Sequence, residues 1–346
     1  MIELTFSDAI NKALHLEMER DDSVFVFGIG VPDHVKIFGT TKGLLEKYGK
    51  KRCFDSPLSE DAMTGLAIGA AISGLRPVHV HIRVDFLLLT MNQLINMASS
   101  FIYGTNGNHS LPLVIRAIIG RGWGQGYQHS KSLFSYFTHI PGLIVIAPTS
   151  PSDALGLLQS AIRSNSPVIF LEHRWLYWAK ESVDNNFPLV EIGKGKVLRK
   201  GKAVTVVAIS WMVVETLVAA KILSEKGIDI EVIDPRTLRP LDTEIIFNSV
   251  KKTGRLIVAD CDWINSGFSA EILSLVSEQL FQYMISSPVR IGFADCPCPT
   301  VRILEDEFYP NAETIIHAVE KMLDKPLSIL DGIDFYSHEN KFKGPF

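Results

Sequence analysis

The chain has 346 residues, 47% of them hydrophobic and 21% charged, with a formal net charge of −4. It has no block of positive charge and no apolar run of about eighteen residues, which excludes a nucleic-acid or membrane partner from the expectation. The length suits two domains, each able to bury its own core. Met1 leads straight into an amphipathic, acid-bearing segment, ELTFSDAINKALHLEMERD, so no targeting peptide is read and a cytoplasmic location is expected. The four cysteines are few for the length and fit a reducing compartment.

Short β-branched runs alternate with longer helical patterns, the signature of an α/β fold with a mainly parallel sheet. The pattern predicts strands over 23–29, 76–84, 111–118, 142–148 and 167–172, with helices over 60–74, 87–101 and 151–164 between them. The first of these helices is rich in Gly and Ala, which permits close backbone approach to a sheet or to another subunit. Residues 173–190 break the rhythm and read as a linker, with Trp175, Tyr177 and Trp178 expected to seal the domain junction. Strands are predicted again over 203–210, 228–234, 254–260 and 288–295, and helices over 211–227, 241–251, 268–283 and 311–324. This divides the chain into a first domain over 1–190, a smaller α/β domain over 191–325 and an irregular, aromatic-rich C-terminal arm over 326–346.

Several motifs are discounted on their chemistry. The stretch GRGWGQG (120–126) lacks the spacing of a dinucleotide fingerprint or a P-loop, although its glycines would let backbone approach a ligand. Cys296 and Cys298 flank Pro297 without a second ligand pair at zinc spacing, so both are expected to be buried structural thiols. His79 and His81 lie two apart in a predicted strand and share one face, where an interior or interface role is the simpler reading. The informative segment is FDSPLSEDAMTGLAIGAAISGLRPVHVHIRVDF (54–86), in which Glu60 begins the Gly/Ala-rich helix. The helix dipole alone would favour an acid at that position, so the residue by itself leaves capping and catalysis open.

The segment FDSPLSEDAMTGLAIGAA, with GLRPV (74–78), YQHSKS (127–132), HIPGLIVIAP (139–148), SPSDALGLLQSAIRSNSPV (150–168), DPRTLRPLD (234–242) and RILEDEFYP (302–310), makes a wider pattern. It resembles the beta subunit of the thiamine-diphosphate-dependent decarboxylating component of 2-oxo acid dehydrogenases, pyruvate dehydrogenase beta-like, within the transketolase superfamily. The resemblance implies a pyrimidine-binding, doubly wound parallel-sheet domain followed by a smaller transketolase C-terminal-like α/β domain. It also implies that Glu60 faces N1′ of the aminopyrimidine ring and so promotes proton removal from the thiazolium C2. By the same resemblance Phe86 packs on the pyrimidine, Leu89 stands where the family has a glutamine near that ring, and His129 binds substrate or protonates the acyl acceptor. Potassium would be held by backbone carbonyls of Leu113, Ala161, Ile162, Ser164 and Ser166. No Gly-Asp-Gly motif for diphosphate and magnesium occurs in the chain. The resemblance therefore implies an alpha-type partner holding magnesium and diphosphate, a heterotetramer containing a second beta subunit, docking on an acyltransferase core, and a small 2-oxo acid as substrate.

The chain departs from the family close to the expected chemistry. Ile29 and Gly30 replace an acidic pair, Lys131 replaces a glutamine beside His129, Phe134 replaces an acid, and Ser164 removes an acid from the potassium loop. Two further readings stay open on the sequence. One is a split transketolase-like carboligase acting on a sugar or an unusual anionic substrate, and the other is a non-catalytic scaffold subunit.

Overall fold

A computed structural model describes residues 1–33, 35–120 and 124–330. The strands in chain order are β1 (Ile2–Thr5), β2 (Val24–Gly28), β3 (Cys53–Phe54), β4 (Arg76–His81), β5 (Val114–Ile119), β6 (Ile144–Ile146) and β7 (Val168–His173). They continue with β8 (Lys180–Val183), β9 (Lys196–Arg199), β10 (Val204–Ala208), β11 (Ile230–Asp234), β12 (Thr237–Arg239), β13 (Leu256–Trp263) and β14 (Val289–Phe293). A seven-stranded sheet runs β12-β6-β7-β5-β4-β2-β3, and a five-stranded sheet runs β14-β13-β10-β11-β9. All pairings within the larger sheet are parallel except that of β12 with β6.

Every residue of β2, β5 and β7 is buried, as expected for strands covered by helices on both faces. On one face, helix Phe6–Arg20 packs against helix Pro151–Arg163. The first begins in a Thr5/Asp8 capping box and the second is capped by Ser150 with proline in its first turn. The two are tied by buried Glu17, which accepts from Arg163, Gln159 and Arg20. No helix of the described residues is long and apolar enough to cross a membrane.

The junction is more interwoven than the sequence rhythm suggests. β12 follows directly on β11 of the smaller sheet, yet pairs with β6 and forms the edge of the larger one. Next to it Arg236 reaches Asp153 at 2.7 Å, and its carbonyl accepts from the Ala147 amide. The stretch expected to be a linker is structured: β8 pairs antiparallel with β1, closing the first domain's chain start onto its end. Its three aromatics separate. Trp175 meets Trp211 and Tyr309 across the junction at 5.1 and 5.9 Å. Tyr177 is instead buried beside Phe6 and Phe38 inside the first domain, and Trp178 is exposed. The expectation for the thiols divides too, with Cys298 buried and Cys296 exposed. The arm from residue 331 onward, and residues 121–123 of the glycine-rich stretch, lie outside the described residues.

Candidate active site

After β2 the chain forms β3 on one side and then passes back to form β4 on the other, so the strand order reverses at β2. In an open parallel sheet such a reversal leaves a crevice beyond the carboxyl ends of the strands. There a cavity of about 300 Å³ opens, lined by Ile29 after β2, His79 to Arg83 at the end of β4, and Glu60, Met63, Phe86, Gln125 and His129. The loop before Glu60 supplies Ser56, Pro57 and Leu58 to the same wall.

Glu60 is the first residue of helix Glu60–Ile72, with Asp61 also in its first turn. The helix buries Thr64, Ala67, Ile68 and Ala71, while Leu66, Gly69 and Ile72 face outward. Two glycines show what the small residues do. A side chain at Gly65 would touch the Gln93 amide, whereas Gly69 has open space. The back of the cavity is formed by two neutral imidazoles. His79 stacks flat on Phe27 at 4.4 Å and lies 4.2 Å from His81. Burial pushes His81 down to about 3, and burial together with His81 lowers His79. The His81 Nε2 atom is buried in this wall and has no hydrogen-bond partner among the described residues.

His129 follows a short 3₁₀ turn and meets Phe86 edge to face at 5.3 Å. Burial, then the neighbouring Arg83 charge, lowers its pKa, so the ring is neutral at physiological pH and can donate or accept. The loop carrying it is held by the second domain. The Phe134 amide donates to Asp262 at 2.9 Å, Tyr309 Oη donates to the Ser130 carbonyl, and Gly126 packs against Thr300. Lys131 does not line the cavity; it is bound to Asp85 at 2.8 Å and to the Tyr127 carbonyl.

The structure thus brings Glu60, Phe86 and His129 to one cavity. Leu89 is not among its lining residues and is 60% exposed one turn away. The five carbonyls of the potassium expectation already accept hydrogen bonds. Ile162 and Ser164 accept from the Arg76 guanidinium at 2.9 Å each, Leu113 from Val168, Ala161 from the Ser164 amide, and Ser166 from the Ser164 hydroxyl. Each oxygen retains only its second lone pair for a cation. Among the described residues no group of His, Cys, Asp or Glu has a metal-binding arrangement. Sequence reading missed Arg83, Gln125 and the paired imidazoles as cavity walls. The strand alternation that puts 79, 81 and 83 on one side was the available signal.

Residues 3–179 match the family model for the transketolase pyrimidine binding domain, and residues 193–315 match that for the transketolase C-terminal domain. The chain is 39% identical over 329 residues to the mitochondrial pyruvate dehydrogenase E1 component subunit beta of Bos taurus, covering 93% of this chain and 91% of that protein. The chain belongs to the pyruvate dehydrogenase E1 beta-subunit family. Its relatives include the corresponding subunit of Rickettsia felis, 38% identical over 93% of this chain and 98% of that one. Subunit beta-2 of Oryza sativa is 41% identical, over 92% and 86%. A split-gene transketolase, described as an inactive beta4 tetramer, has the same fold with a TM-score of 0.75. It is 23% identical, over 93% of this chain and 98% of that one.

Proposed function

We propose that this chain is the beta-type subunit of a two-subunit thiamine-diphosphate enzyme that decarboxylates a 2-oxo acid and passes on the acyl group. The observation that carries the reading is the meeting of Glu60, Phe86 and His129 on one cavity of a chain in this family. The fit to an aminopyrimidine is chemical. Met63, Leu58 and Phe86 give apolar walls, Glu60 gives one carboxylate, and the His81 nitrogen, unpartnered among the described residues, can take a polar group. When bound, the cofactor supplies the electron sink for the pair released as carbon dioxide leaves.

In this reading Glu60 would hold the proton at the ring nitrogen, Phe86 would pack on the ring, and neutral His129 would exchange a hydrogen bond with the substrate. Leu89, exposed three residues on from Phe86, would reach the cofactor only from outside the cavity. An alpha-type partner supplies the diphosphate and magnesium site and covers the outward face of helix Glu60–Ile72, where Leu66 and Ile72 are exposed. Within a cytoplasmic heterotetramer a second beta chain completes the assembly, and the acyl group goes to an acyltransferase core. A potassium ion at the 161–166 loop would be structural, using the free lone pairs of those carbonyls.

The test is to co-express the chain with a partner bearing a Gly-Asp-Gly motif and to follow decarboxylation of a 2-oxo acid panel with an artificial electron acceptor. Turnover of at least one 2-oxo acid is expected. Ketol transfer between sugars without 2-oxo acid turnover would overturn the reading.

A further inference from the structure

Arg83 lies just beyond the carboxyl end of β4 and is only 4% exposed, yet nothing in the mechanism above uses it. A guanidinium taken out of water loses its hydration at a large cost unless an anion or a full set of hydrogen bonds replaces it. Among the described residues Arg83 is bonded to no anion and lacks a full set of hydrogen bonds. Its Nη2 donates to the Gln125 side-chain oxygen at 2.5 Å and its Nη1 to the Ile82 carbonyl at 3.1 Å, both neutral, and its Nε has no acceptor. Asp85, the acid two residues on, favours the Arg83 charge through space, but the bond it makes is to Lys131. A second guanidinium, Arg174, donates to the same Gln125 oxygen at 3.1 Å and lies 4.7 Å over the ring of Phe38, another cavity residue. Burial and then the Arg83 charge push Arg174 down to about 9.

We infer that Arg83 is a specificity-determining residue that takes a second anionic group of the substrate, at the far end of the 2-oxo acid from the carboxylate that is lost. The inference rests on the decarboxylase reading. The departing carboxylate is the wrong partner for it. A charge-assisted bond to that group is strongest in the ground state and weakens as neutral carbon dioxide forms, so it would raise the barrier. Neutral His129 suits that end better. An anion that persists through the reaction stabilises ground state and transition state alike, and so selects the substrate without opposing the chemistry. The substrate class is therefore a 2-oxo dicarboxylic acid or its phosphonate or sulfonate counterpart.

The experiment compares 2-oxoglutarate with 2-oxohexanoate, of similar length and one charge fewer, on the reconstituted two-subunit enzyme. Wild type should favour 2-oxoglutarate in kcat/KM, and Arg83→Met should lower that preference roughly 100-fold, chiefly through KM. Arg83→Lys, which keeps the charge but loses the fork, should fall between the two. Glutarate should inhibit wild type competitively and lose that inhibition in Arg83→Met, with thermal unfolding reporting that both variants fold. A wild-type preference for 2-oxohexanoate, or a preference indifferent to Arg83, overturns this inference alone. Failure to turn over any 2-oxo acid overturns the decarboxylase reading and takes the inference with it.

Discussion

Arg116 and Glu172 offer a test of what holds the catalytic sheet together. They sit on adjacent strands β5 and β7, with side chains 1% and 0% exposed, and bond at 2.5 and 2.8 Å through two parallel contacts. Tyr177 Oη donates to the same carboxylate at 3.0 Å, whereas Arg116 Nη1 has no partner among the described residues. Arg116 is level with Val80 of β4, so it projects to the face opposite His79 and His81. Arg116→Met strands the Glu172 charge in the core, which costs about 3–5 kcal/mol. One apolar cluster spans both sheets, and the Tm shift is that of the chain unfolding as one unit. At roughly 2 cal/mol/K per residue the unfolding entropy is about 0.7 kcal/mol/K, giving a fall in Tm of roughly 4–7 °C. Arg116→Met with Glu172→Gln removes both charges and keeps an acceptor for Tyr177, so it should recover most of that loss. Differential scanning calorimetry of the wild type and the three variants closes the double-mutant cycle. If the single change is silent, or the double variant is as unstable as the sum of its parts, then the buried charge is not the origin of the cost.

Glu60→Gln should lower kcat by about 10²–10⁴-fold while the two-subunit complex still elutes intact, because the change removes the proton-holding group but not the fold; an active variant would refute its role. Gly126 has φ +60°, and a Cβ there would lie 2.4 Å from the Thr300 side chain, so Gly126→Ala should displace the His129 loop. Steady-state kinetics should then show kcat/KM roughly 10- to 100-fold lower, with a smaller change in Tm. Glu215 accepts from the Ala312 amide and the Trp211 indole, and burial raises its pKa from 4.5 to about 7. The folded state therefore binds the proton more tightly than the unfolded one, so its contribution is complete below about pH 4.5 and is lost as pH rises through 7. Glu215→Gln should gain on wild type by about 2.5 kcal/mol between pH 5 and pH 8.5 in denaturant titrations. An unchanged difference between those pH values would contradict it.

Local features are legible in the chain alone. Alternating β-branched runs and helical periods specify the strands and helices, because strand and helix each repeat over a few residues. The segment 54–86 carries Glu60, β4 and Phe86 in one stretch, so most of one cavity wall was readable as a motif. His129 was readable from its flanking residues, but not what holds it. The Phe134 amide and Asp262 are 128 positions apart, and Ser130 and Tyr309 are 179 apart, with nothing in either stretch to announce the other. The same is true of β12, a three-residue strand that only the edge of β6 makes a strand. Arg83, Gln125 and Arg174 read singly as ordinary polar residues. Only the turn of the chain at β2 and the packing around it bring two guanidinium groups onto one amide oxygen. Charge becomes costly only where burial removes water, and burial is a property of the assembled fold. The candidate chemistry at Glu60 was thus legible in the chain, while the meeting of Arg83 and Arg174 on Gln125 came only with the fold.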